Sequence, residues 1–101
     1  MNRYSRKLMN DVNRVLKVLE EHDSTSKITV KYDLDWRNDG THCRAYIMGL
    51  TENYSTGNGH ERTYSCQLLQ KLVKLYDKYN VNFHVGHTDN IEMHIQIYVP
   101  T

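Results

Sequence analysis

The chain is expected to fold as a two-layer α+β domain of order αββαββ, with a four-stranded antiparallel sheet and two helices packed on one face. Three observations carry this expectation. Two stretches, residues 3–22 and 63–79, repeat apolar side chains with the period of a helix, and four shorter stretches alternate apolar and polar residues as half-buried strands do. The first pair of strands can also be registered twice, once by apolar residues and once by charges, with the same result.

In the first helix Tyr4, Leu8, Val12, Val15, Leu16 and Leu19 share one face at about 100° per residue. The run Asp23-Ser24-Thr25-Ser26 then breaks the period with turn-favouring residues. A strand is expected over residues 27–36, with Ile28, Val30, Tyr32 and Leu34 inward and Thr29, Lys31 and Asp33 outward. Arg37-Asn38-Asp39-Gly40 supplies a turn, because Gly40 adopts positive φ without a Cβ clash. The next strand, residues 41–50, turns Cys43, Ala45 and Ile47 inward. Closing this hairpin with Trp36 opposite Thr41 sets Leu34 beside Cys43, Tyr32 beside Ala45 and Val30 beside Ile47. The same register places Asp33 opposite Arg44 and Asp35 opposite His42, which are favourable cross-strand pairs.

Residues 51–62 form a polar, glycine-containing loop, long for a compact domain. The second helix is expected to bury Leu68, Leu69, Leu72, Leu75, Tyr76 and Tyr79, with Asn80 as a left-handed cap. Residues 81–87 and 91–99 make a second hairpin around a three-residue loop, Thr88-Asp89-Asn90. Its last strand alternates Ile91, Met93, Ile95, Ile97 and Val99 inward with Glu92, His94, Gln96 and Tyr98 outward. The whole chain, 1–101, thus reads as one domain of two αββ halves, 1–50 and 63–101. Neither half buries an apolar face alone, so the helices and the sheet must cover one another.

Composition narrows the function classes. Thirteen basic and twelve acidic residues leave a formal charge of +1, which excludes an acidic nucleic-acid mimic and a strongly basic coat protein. Cys43 and Cys66 make no disulfide framework and no Cys-x-x-Cys spacing, so two unlinked thiols in a cytoplasmic protein are expected. No apolar signal core or long apolar run is present, so secretion and membrane contact are not expected. No phosphate-binding glycine motif, nucleophile elbow or H-E-x-x-H pattern occurs, and neither cofactor nor bound metal is expected.

Four groups of residues are candidates for function. The outward sheet face presents Arg44, Tyr46, Met48, His84, His94 and Tyr98, a mixture enriched at binding surfaces, against the plainer alternative of a half-solvated sheet. His84 and His94, set opposite each other by a three-residue loop, would have Cβ atoms roughly 5 Å apart, suited to an acid–base pair or to half a metal site that would need further ligands, although two of six histidines can also align by chance. The helix backs carry Arg3, Arg6, Lys7, Arg14 and Lys17, then Lys71, Lys74 and Lys78, diluted by Asp11, Glu21 and Asp77. The long loop offers Tyr54, His60 and Arg62 with glycine mobility, as recognition loops do.

The expected function is a small non-enzymatic binding module, a regulator or inhibitor that occludes a larger macromolecular partner. Accessory proteins of phages and mobile elements are one population of such chains. The partner is expected to be a protein rather than a nucleic acid, met by Arg44, Tyr46, Met48, Tyr54, His60, Arg62, His84, His94 and Tyr98. A homodimer through the open sheet face would use the same surface. The alternative is a nucleic-acid-binding domain using the basic helix backs or the open sheet. A third reading is a small hydrolase or nuclease dependent on His84 and His94.

Overall fold

The computed structural model describes residues 2–22, 28–48, 66–87 and 93–100. Its elements are α1 (Arg3–His22), β1 (Thr29–Asp33), β2 (Cys43–Met48), α2 (Cys66–Tyr79), β3 (Phe83–His87) and β4 (Met93–Val99). The fold is the expected α+β arrangement, with an antiparallel sheet in the order β1-β2-β4-β3. The two hairpins therefore meet along a β2–β4 seam, with β1 and β3 at the edges.

Helix α1 starts where Asn2 caps it: the Asn2 Oδ1 accepts the Ser5 backbone N–H at 2.9 Å, satisfying one of the free N–H groups of the first turn. Leu8, Val12, Val15 and Leu19 then point into the sheet and are buried. They meet Cys43, Ala45 and Ile47 of β2 and Ile95, Ile97 and Val99 of β4, with Leu68 and Leu72 of α2 and Val81 completing one continuous core. Alternation explains why these strands stay in register, since a shift of one residue would expose every core side chain. Asn80 ends α2 with φ 56°, and its N–H donates to the Tyr76 carbonyl at 2.9 Å, as expected of a left-handed cap.

Four details differ from expectation. The register Val30↔Ile47, Tyr32↔Ala45 and Asp33↔Arg44 holds, but the ladder stops at Asp33. Residues 34–42 form a wider turn because side chains compete for the backbone there: Asp35 Oδ1 accepts the Gly40 N–H at 3.0 Å, and Asp39 Oδ1 accepts the Thr41 N–H at 2.9 Å. Asn38 and Gly40 both take positive φ, at 57° and 73°. Leu34 is consequently exposed, at 44%, and Tyr32, although paired with Ala45 on the core face, is 41% exposed because β1 is an edge strand. Tyr76 and Tyr79 are also exposed rather than buried, because α2 sinks only Leu68 and Leu72 fully into the core. The expected start of the second helix at residues 63–65, the 51–62 loop and the Thr88-Asp89-Asn90 turn all lie outside the described residues.

Asp11 departs furthest from its expected place on the solvated helix back. It is completely buried, and Lys7 Nζ at 2.9 Å and Arg14 at 3.2 Å hold its two oxygens. Lys7 also reaches the Asn80 carbonyl at 3.5 Å, and the Arg14 guanidinium lies 4.1 Å from the Tyr79 ring centre. The pair of cations thus ties α1 to the end of α2 instead of forming a free basic stripe.

Burial raises the pKa of the Cys43 thiol, and the nearby charge of Asp11 raises it further. Cys43 is free and 1% exposed. A thiol held protonated out of solvent reacts slowly. Peptide-resolved alkylation with iodoacetamide is expected to leave Cys43 unmodified in the native protein and to modify it in denaturant. Native labelling of Cys43 at the rate of a free peptide thiol would contradict this packing.

Candidate functional site

The helices cover one side of the sheet, and β1, β2, β3 and β4 display their other side chains on the opposite side. Cross-strand pairing arranges these in rows. One row runs Lys31–Tyr46–Gln96–His84, and a neighbouring one runs Asp33–Arg44–Tyr98. Arg44, Tyr46, Met48, His94, Gln96 and Tyr98 are half-buried, and Lys31 and His84 are exposed. The sheet face thus brings together six of the predicted binding residues: Arg44, Tyr46, Met48, His84, His94 and Tyr98. Tyr54, His60 and Arg62 lie outside the described residues.

Arg44 is the centre of a stack. Its guanidinium carbon is 5.1 Å from the Trp36 ring centre and 5.4 Å from that of Tyr46, while Asp33 lies 3.5 Å from its terminal nitrogen. Arg37 covers Trp36 at 4.8 Å, and His42 meets the same ring edge-on at 5.6 Å. Trp36 was expected to face Thr41 inside the hairpin. The early end of the ladder releases it to pack on Arg44 instead, which adds Trp36, Arg37 and His42 to the site. The signal in the chain was limited to a single tryptophan, Trp36, with Arg37 next to it. Trp36 Nε1 and Arg44 Nε are buried donors without a hydrogen-bond partner among the described residues. Such donors favour an acceptor that could be brought to them.

The turn beside this stack is acidic. Asp39 is pulled down to about 2, first by the Thr41 backbone N–H, then by the Thr41 hydroxyl, with His42 adding to both. A carboxylate lowered from about 4 in the unfolded chain supports the turn fully above that pH and ceases to as pH falls through about 2. Following the Asp39 side-chain carboxyl carbon by NMR is expected to give a midpoint near the lower value. A midpoint near 4 would mean that the turn does not hold the carboxylate as described.

His84 and His94 are not directly opposite each other. The ladder pairs His84 with Gln96 and Gly86 with His94, so the two histidines are diagonal neighbours, with ring centres 6.5 Å apart. In the described ladder His87 meets Met93, where the expected register would pair residue 87 with residue 91. That shift removes the face-to-face contact and brings both imidazoles over Gly86. His94 also meets the Tyr46 ring edge-on at 5.8 Å. Among the described residues, no group of three or more His, Cys, Asp or Glu side chains is placed to hold a metal ion.

Among the described residues, the helical side carries open depressions. One of about 310 Å³ is lined by Arg3, Tyr4, Lys7, Val99 and Pro100, and one of about 280 Å³ by Leu16, Glu20, Ile28 and Val30. Neither touches the sheet-face residues. Among the described residues, no helix is long and apolar enough to cross a membrane. The chain matches no family model, no curated protein and no solved structure.

Proposed function

We propose that the chain is a small non-enzymatic binding module that covers part of a larger macromolecule, a protein rather than a nucleic acid, with the open face of its sheet. The observation that carries this is the Trp36–Arg44–Tyr46 stack with Tyr98 in the next row position. Tryptophan, tyrosine and arginine dominate the residues whose truncation weakens protein–protein contacts. A fixed stack also loses little side-chain freedom on binding.

The charges favour a protein partner. Asp33, Asp35 and Asp39 lie at the same end of the face as Arg37 and Arg44, so a polyanion would meet carboxylates there. On the helical side, Lys7 and Arg14 are engaged by Asp11, which shortens the basic stripe available to phosphates. A regulator or inhibitor acting by occlusion, of the kind carried by phages and mobile elements, suits an open binding face, and the buried free thiol of Cys43 suits a cytoplasmic setting.

The test is affinity capture from the source cell with the wild-type chain and, in parallel, with an Arg44→Ala/Tyr46→Ala variant. A protein retained by the wild type and lost by the variant, at unchanged fold, supports the reading. Capture of nucleic acid that falls steeply with salt favours the alternative, for which the Lys31–Tyr46–Gln96–His84 row would be the stacking surface. Light scattering across a concentration series reports whether a second copy occupies the same face.

A further inference from the structure

We infer that His84 and His94 form a two-imidazole site for a divalent transition-metal ion, seated above Gly86 on the open face of the β3–β4 hairpin. This inference is independent of the proposed function. Gly86 and His94 are cross-strand partners, and His84 stands two residues before Gly86, on the same face. A Cβ built on Gly86 would lie 3.2 Å from His94 Nε2 and 3.3 Å from His84 Nε2. Both ring nitrogens therefore border one small volume, which exists because residue 86 has no side chain.

The chemistry of that volume is specific. Nε2 is the imidazole atom that most readily reaches a metal without bringing the ring against the backbone. Zinc, nickel and copper all accept imidazole nitrogen, at about 2.0–2.1 Å for zinc. The diagonal relation of the two histidines helps, because each ligand needs a ring's length between its Cβ and the ion. A pair placed directly opposite would be crowded. With two protein ligands, water completes the coordination, so binding in the micromolar range is expected rather than the much tighter binding of a closed structural site. Part of the geometry also has a packing explanation: an aromatic ring lying across a glycine on an edge strand stabilises that strand by itself. His84, two residues along the same strand face, brings a second ring nitrogen to the same point.

The experiment is calorimetric titration of the untagged full chain with Zn²⁺ and, separately, Ni²⁺, accompanied by ¹⁵N NMR of the histidine rings. One ion per chain is expected, with the Nε2 signals of His84 and His94 moving on addition. His84→Asn and His94→Asn are each expected to weaken binding at least tenfold. Gly86→Ala keeps both histidines but puts a methyl 3.0 Å from His94 Cε1, so it should weaken binding several-fold as well. His22→Asn, at the end of α1 on the other side of the sheet, should leave it unchanged. His84 is exposed, so its replacement tests the site without disturbing the core. Binding no stronger than that of the His84→Asn/His94→Asn double variant, or movement of other histidines alone, would overturn the proposal.

Discussion

Replacing Lys7 and Arg14 together by alanine is expected to lower the melting temperature by more than about 10 °C, although both residues are one-third exposed. The cause is Asp11, which is wholly buried and has one oxygen on each cation. Stripping the cations leaves a carboxylate in the core with no counter-charge, a change that costs about 3–5 kcal/mol in buried pairs. The reverse deletion, Asp11→Leu, should cost less, because Lys7 and Arg14 can turn outward to water. Thermal melting of wild type and the two variants, followed by circular dichroism, checks this. A double variant that melts within a degree or two of wild type would show that Asp11 does not depend on the two cations.

On the open face, Arg44→Ala, Tyr46→Ala and Tyr98→Ala are each expected to weaken binding of the captured partner at least tenfold, or about 1.4 kcal/mol. Arg44→Ala should have the largest effect, since it also removes the support of Trp36 and Tyr46 and frees Asp33. All three side chains project away from the core, so melting temperatures should change little. The control is Arg6→Ala with Lys74→Ala, two exposed cations on the helical side, which should leave binding nearly intact. The opposite ranking, helix changes abolishing binding while sheet changes are silent, would move the interface to the helices. Equal losses of stability and affinity in the sheet variants would make those residues structural.

Local patterns carried most of the fold and part of the site. The bounds of α1 and the β1–β2 register were legible because each was marked by apolar period, and the register by charge as well. Trp36 was misplaced because alternation describes a strand only while the ladder lasts. Here Asp35 and Asp39 offer the backbone a rival set of hydrogen bonds, and the strand ends early. Asp11 was misread because a helical wheel assigns polar residues outward and does not register a second helix arriving at Lys7 and Arg14. The His84–His94 relation depended on the β3–β4 register, which apolar alternation fixes only to within steps of two residues. The β2–β4 neighbourhood joins residues from opposite halves of the chain, and no local signal specified it.

That seam bears on how the molecule is made rather than on how it looks. Each hairpin closes over a short span and can form in microseconds, but Cys43↔Val99 and Ile47↔Ile95 join residues about half the chain apart. Until they meet, Ala45 and Ile97 have no partners across the seam, and α1 has only half a floor to rest on. Assembly is therefore gated by one long-range encounter, and truncating Ile97 should slow folding more than it speeds unfolding if the seam is part of the transition state.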